Sequence, residues 1–205
     1  MAVITLDFHS KALKMCTLVT LVVPDSVRIK GIPLSARRTV YLLHGLSEDA
    51  TAFLRLSGAE RYARAHDLVL VMPTGGRSMY CDGINGQNWF TYIAEELPEY
   101  LHLLMGLSRR REQNFIAGYS MGGMGAARIA LDLFRSAYAA WGSFSGVLDL
   151  RPMLLALNDE MREDFPFLVE KAAEINTTPL NPINLLNAEK HAGSRAIWPA
   201  ESRIQ

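Results

Sequence analysis

The chain has 205 residues, which suits one domain with room for a small cap. Apolar residues make up 49% and charged residues 20%, and Lys plus Arg equals Asp plus Glu at 21 each. That balance gives no whole-chain case for binding nucleic acid or an anionic membrane. Cys16 and Cys81 form neither a metal spacing nor a disulfide framework, which fits two free thiols in a reducing cytoplasm. No apolar run reaches the length of a membrane span, and the alternating N-terminus does not read as a signal peptide.

In chain order, Val3, Ile4, Leu6 and Phe8 read as a first strand. Met15 to Val23 reads as a second, strongly β-prone one. These two are expected to be antiparallel and to form one edge of a sheet. Gly31 to Arg38, polar and broken by Pro33, is expected to be a hairpin loop. Thr39-Val40-Tyr41-Leu42-Leu43 is continuously apolar, the pattern of a strand buried on both faces of a parallel sheet. It runs into His44-Gly45-Leu46-Ser47. Helix-forming stretches follow at Glu48 to Leu56 and Ala59 to Ala65, then a second buried strand at Leu68 to Met72, stopped by Pro73. The long polar loop Thr74 to Asn88 has the length of a functional loop. Trp89 to Met105 has helical spacing, with Pro98 marking a kink or a start.

The most informative stretch is Phe115-Ile116-Ala117-Gly118-Tyr119-Ser120-Met121-Gly122-Gly123. An apolar run enters Gly-x-Ser-x-Gly and a small-residue helix pattern leaves it. That is the strand, sharp turn and helix of a nucleophile elbow. The glycines let strand and helix approach without Cβ clashes. Ser120 would stand at the tip, with the Met121 N–H and the positive end of the new helix facing a developing oxyanion. A dinucleotide-binding loop is disfavoured, because the third small residue after Gly123-Met124-Gly125 falls on Arg128. The elbow helix is predicted to run to about Arg135, with a further strand at Tyr138 to Phe144. Alternating strands and helices predict an α/β layered fold with a mostly parallel sheet. Beyond Gly146, Asp149 to Leu157 and Glu160 to Ile175 read as short helices of a cap spanning about 148–180. Residues 1–187 would then be the main domain and 188–205 an atypical tail without a convincing buried strand, Arg195-Ala196-Ile197-Trp198 coming nearest.

A serine hydroxyl needs a histidine to take its proton, a carboxylate to orient that histidine, and two donors for the oxyanion. The first donor is the Met121 N–H. The second is expected from the loop after an earlier strand with a His-Gly motif, here the Leu46 N–H. Both lie at the C-terminal ends of buried strands, where ligands bind in open α/β sheets.

Together, Leu42-Leu43-His44-Gly45-Leu46, Val71-Met72-Pro73, Tyr80-x-Asp82, Glu95-Glu96-Leu97-Pro98 and Ala117-Gly118-Tyr119-Ser120-Met121-Gly122-Gly123 resemble the esterase D family. That family includes S-formylglutathione hydrolases and bacterial tributyrin-type esterases, and the tributyrin-type branch is the nearest likeness. The match in order and spacing covers roughly residues 1–187. The resemblance implies an α/β-hydrolase fold, with antiparallel N-terminal strands on a mostly parallel sheet. It implies hydrolysis of short acyl esters or thioesters through an acyl-enzyme on Ser120, with Leu46 and Met121 as backbone oxyanion donors and no metal or organic cofactor. A thioester hydrolase of the S-formylglutathione type, an acyltransferase and a non-catalytic remnant are the rival readings. The expected partner is a small acyl ester or thioester, with no nucleic acid and no membrane. A homo-oligomer is left open.

Family members carry the triad acid and then the histidine after strands that follow the cap. Here no carboxylate after Ser120 matches that acid position, and Asp149 reads as a helix cap or surface group. Of the histidines 9, 44, 66, 102 and 191, only His191 follows Ser120, and it comes ahead of the expected acid position. His191 is therefore a weak candidate for the base, and His44 belongs to the oxyanion loop. The expectation is a chain that lacks the last strand or strands and helix, with a tail from about Ala188 that has lost the family pattern. Cys81 as a redox or acylation site is disfavoured against a buried free thiol. Trp89, Phe90 and Tyr92 could line an acyl pocket or simply pack the core. Arg109-Arg110-Arg111 more often caps a helix end than binds phosphate, and a helix N-terminus accounts for Glu48 and Asp49.

Overall fold

The structure is a computed structural model that describes residues 1–26, 30–132, 137–186 and 195–197. β1 (Ala2–Ser10) and β2 (Met15–Val23) form an antiparallel hairpin, with Lys14 in the left-handed region at φ +57°. The Glu96 carboxylate holds the turn. It accepts from the Ser10 hydroxyl (2.5 Å) and from the N–H groups of Lys11 (2.7 Å) and Ala12 (3.2 Å). The next strands are β3 (Thr39–Leu43), β4 (Val69–Pro73), β7 (Asn114–Tyr119) and β8 (Ala140–Phe144). A short β9 (Arg195–Ile197) pairs parallel with β8. This corrects the expectation of a tail without a convincing strand: within Arg195 to Trp198, the stretch that came nearest to one, Arg195–Ile197 pairs as a strand. The sheet order is β1-β2-β4-β3-β7-β8-β9, parallel from β4 onward.

That order corrects one expectation. Gly31 to Arg38 is not a hairpin loop, because β4 lies between β2 and β3 and pairs with both. The segment instead holds a 3-10 turn at Leu34–Ala36 and carries the chain past β4.

The continuous apolar runs are divided residue by residue between two cores, as a sheet covered on both faces requires. Val19, Leu21, Tyr41, Leu43, Val69, Val71 and Ile116 join the larger core with the elbow helix α4 (Met121–Asp132). Val22, Leu70 and Met72 join a smaller one under α1 (Ala52–Leu56) and α2 (Ala59–His66), with Phe53, Leu54 and Ala63. The helix predicted from Trp89 is continuous but not uniform. A π-helical turn at Tyr92–Glu96 separates Trp89–Thr91 from α3 (Leu97–Met105), whose first turn contains Pro98. Proline has no N–H to give the carbonyl four residues back, and a π turn absorbs that loss.

The loop Thr74 to Asn88 carries a small hairpin, β5 (Asp82–Ile84) with β6 (Gln87–Asn88). Asn85 and Gly86 turn it at φ +50° and +75°, the geometry an Asn-Gly pair favours. After β8 the short helices α5 (Leu150–Leu155), α6 (Asp159–Asp164), α7 (Pro166–Glu170) and α8 (Pro182–Leu185) follow, and Leu150, Leu168 and Leu185 enter the larger core. The wholly buried Asn181 ties this segment together. Its Oδ1 accepts from the Leu150 N–H (2.9 Å) and its Nδ2 donates to Asp149 (3.3 Å).

Candidate active site

Ser120 joins β7 to α4 and is exposed at the tip of the turn. Its φ is +53°, a region in which an L-residue costs roughly 1–2 kcal/mol. The turn is held from both directions. The Ser120 N–H donates to the Phe144 carbonyl of β8 (2.9 Å), and its own carbonyl accepts from the Met124 N–H (3.1 Å). Close packing explains the two flanking glycines. A Cβ on Gly118 would lie 2.3 Å from the Gly122 carbonyl oxygen, and one on Gly122 would lie 2.0 Å from that of Leu43. The turn is therefore pressed directly onto the end of β3, where the His44-Gly45-Leu46 loop begins.

His44 is buried in that loop, and its ring is locked by two contacts. Nε2 accepts from the Gly75 N–H (2.7 Å), so the proton sits on Nδ1, which donates to the Gly45 carbonyl (2.7 Å). Burial lowers its pKa below the usual histidine range, more strongly than the Gly45 contact and the charges of Glu48 and Asp49 raise it. A neutral imidazole with both nitrogens engaged shapes the loop and has no free lone pair for the serine proton. Two residues on, the Leu46 N–H makes no hydrogen bond among the described residues. The Met121 N–H, in the first turn of α4, has no intrahelical acceptor and no other partner among them. The expected oxyanion donors are thus two unpartnered amides on the loops that meet at the elbow.

The other described histidines lie elsewhere. His9 is on β1, beyond β2, β4 and β3 from the elbow strand. His66 and His102 end helices that lead into β4 and β7, at the N-terminal end of the parallel strands and away from Ser120. The ring of His102 contacts the Leu107 carbonyl (2.8 Å). His191 lies outside the described residues.

Asp149 caps α5, accepting from the Arg151 N–H (3.1 Å) and pairing with its guanidinium, whose hydrogen bonds hold the carboxyl well below its usual pKa. Cys81 is buried against Arg128 (3.2 Å), and burial pushes its thiol up to about 12, so it is no nucleophile near neutral pH. Trp89, Phe90 and Tyr92 are buried members of the larger core, and core packing accounts for them. Arg109 pairs with Glu99 of α3 (3.7 Å). Asp49 accepts from the Thr51 N–H (2.8 Å) and hydroxyl (2.5 Å) just ahead of α1. Glu48 is half-buried, and its Oε2 has no partner among the described residues.

Ser120 lines neither of two hollows. One of about 250 Å³ opens on the face of the smaller core, lined by Val40, Phe115, Ala117, Gly142 and Phe144. The other, of about 330 Å³, lies near the N-terminal end of β7, lined by Glu95, Glu99, Arg109, Asn114 and Tyr138.

A mostly parallel sheet, a serine on a left-handed strand-to-helix turn and a His-Gly loop at the neighbouring strand end define an α/β-hydrolase fold. Residues 11–198 match the "Putative esterase" family, and the chain belongs to it. An acetyl esterase of Caldicellulosiruptor saccharolyticus is 29% identical over 136 residues, 64% of this chain and 51% of that protein. The chain thus spans about half the length of that relative. Among solved structures, the serine hydrolase FphF of Staphylococcus aureus, described as fluorophosphonate-binding, is 31% identical. It superposes with a TM-score of 0.81 over 95% of this chain and 77% of its own. The S-formylglutathione hydrolase FrmB of the same organism is 32% identical, with a TM-score of 0.77 over 93% and 74%. These likenesses agree with an esterase D type of hydrolase.

Proposed function

We propose that this chain is a serine carboxylic-ester hydrolase for short acyl esters. Ser120 Oγ attacks the ester carbonyl carbon, and its proton passes to a base. The oxyanion is held by the N–H groups of Leu46 and Met121. The carbon–oxygen bond to the alcohol breaks, leaving an acyl-enzyme that water hydrolyses. The observation that carries this reading is Ser120 itself: exposed, held in the left-handed region, and set at the start of a twelve-residue helix. The two unpartnered amides support it further.

None of the described histidines is placed to take the serine proton, and His191, a weak candidate because it precedes the expected acid position, lies outside the described residues. Thioester hydrolysis is the second reading, favoured by the 32% identity to FrmB. A reducing cytoplasm is the proposed setting, supported by the free thiols of Cys16 and Cys81. Among the described residues no helix is long and apolar enough to cross a membrane.

The test is turnover of p-nitrophenyl butyrate and S-formylglutathione, with labelling by a fluorophosphonate, in wild type, Ser120→Ala and His191→Ala. Turnover and labelling lost in Ser120→Ala support the serine hydrolase, and the ratio of the two rates selects the acyl class. Turnover that survives Ser120→Ala ends the reading. A folded wild type with neither labelling nor turnover leaves a non-catalytic domain. Full activity in His191→Ala removes that residue as base.

A further inference from the structure

Tyr80 is wholly buried at 0% exposure, yet it is delivered there by an unfavourable backbone. Met79 and Tyr80 are successive non-glycine residues in the left-handed region, at φ +50° and +51°. Such strain persists only where the surroundings over-determine it. Here they do. The Ser78 hydroxyl donates to the Gly75 carbonyl (2.6 Å) and accepts from the Tyr80 N–H (3.0 Å). Arg128 of α4 donates to the Tyr80 carbonyl (3.0 Å). The ring lies against two glycines from different elements. A Cβ on Gly75 or on Gly125 would come within 2.5 Å of it.

Packing alone would be satisfied by phenylalanine. The hydroxyl adds something more specific, since it donates to the His44 carbonyl (3.0 Å), two residues ahead of Leu46. The neighbouring Gly75 N–H holds the ring of the same histidine. One side chain thus ties the loop after β3 to the helix that begins at the serine turn. Oxyanion donors accelerate a reaction only when they are aimed beforehand.

We propose that Tyr80 is a positioning residue of the oxyanion hole. Its hydroxyl fixes the His44–Leu46 segment so that the Leu46 N–H is oriented before substrate arrives. The proposal rests on the ester-hydrolase reading for its kinetic consequence, but the tie itself can be read without turnover.

The test is Tyr80→Phe, which keeps the ring and removes the hydroxyl. Three quantities are compared with wild type: kcat and KM for p-nitrophenyl butyrate, the urea unfolding midpoint, and the backbone amide NMR signals. The expected result is a kcat lower by about tenfold or more, on the scale of an impaired oxyanion donor. KM should stay within about twofold. The Gly45 and Leu46 amide signals should shift or split while those of β1 stay in place. A folded variant with unchanged kcat and unchanged Gly45 and Leu46 signals overturns the proposal. So does a loss of kcat accompanied by amide shifts spread across the whole sheet, which marks general destabilisation. If wild type itself shows no turnover, the ester reading fails separately, and the Gly45 and Leu46 signals decide for or against Tyr80. Should Tyr80→Phe not fold, Gly125→Ala displaces the ring from the helix side and carries the same expectations.

Discussion

Gly122→Ala measures how tightly the serine turn is pressed onto β3. The added methyl would stand 2.0 Å from the Leu43 carbonyl oxygen, 2.5 Å from its carbon and 2.7 Å from the His44 carbonyl oxygen. Favourable contacts between carbon atoms begin at about 3.5 Å, so the methyl is too close by more than about 1 Å. All three obstacles are backbone atoms, which cannot swing aside as a side chain would. β3 is itself held by β4 on one side and β7 on the other, so the strain falls on the start of α4. Overpacking costs about 1–3 kcal/mol, and a rigid site belongs at the upper end, about 3 kcal/mol. Against a typical total of about 5–15 kcal/mol, that is a large share. Gly142→Ala is the matched control. Its methyl would meet the Ala117 Cβ and the Phe144 ring at 3.4 Å, which is ordinary contact. Restricting the unfolded chain there should leave stability unchanged or raise it by up to about 1 kcal/mol. Urea unfolding followed by tryptophan fluorescence reads both, comparing midpoints at constant slope. Gly122→Ala within about 0.5 kcal/mol of wild type, or Gly142→Ala the less stable of the two, would refute the reasoning.

Three further expectations follow from contacts already described. His44 holds a lowered pKa in the folded state, so between that value and about 6.5 the unfolded chain binds more protons. Its contribution to stability is full above about pH 6.5 and falls as the pH drops, by at most about 1.4 kcal/mol per pH unit. In His44→Gln that dependence should flatten in urea midpoints taken from pH 8 to pH 5.5, and an unchanged slope contradicts the lock. Ser120→Gly relieves the left-handed strain and should raise the unfolding midpoint by up to about 1 kcal/mol after glycine's greater unfolded freedom is set against it; a less stable variant means the turn is unstrained. Glu96→Ala strips the β1–β2 turn of three accepted hydrogen bonds and should cost about 2 kcal/mol. Amide exchange at Lys11 and Ala12 should quicken, and an unchanged rate there would show that the turn is held by other means.

What the sequence makes legible is whatever depends on near neighbours. Thr39 to Leu43 is readable as a strand because five consecutive residues suit burial on two faces, and the observed strand has those bounds. The elbow is readable because its glycines, serine and helix lie within one short stretch. Contacts between distant segments are not readable. Nothing in Gly31 to Arg38 reveals that β4 will insert between the strands on either side, and a hairpin was the local solution. The grip of Gly75 on His44, and of Tyr80 on its carbonyl, joins residues over thirty positions apart. Trp89, Phe90 and Tyr92 could be assigned to core or pocket only once the elements around them were in place. One further feature is local: Asn85-Gly86 between Ile84 and Gln87 spells a two-residue hairpin.

The central strand also dictates when the chain can finish folding. Leu43 pairs with Gly118, about 75 residues further along, and β4 must already have found its place between β2 and β3. Closing such long loops before any parallel pairing rewards them is slow. Ser120 can keep its backbone angle only once Leu43 and Phe144 are there to brace it. The serine turn therefore depends on long-range pairing: its backbone angle is braced by strands that lie far from it along the chain.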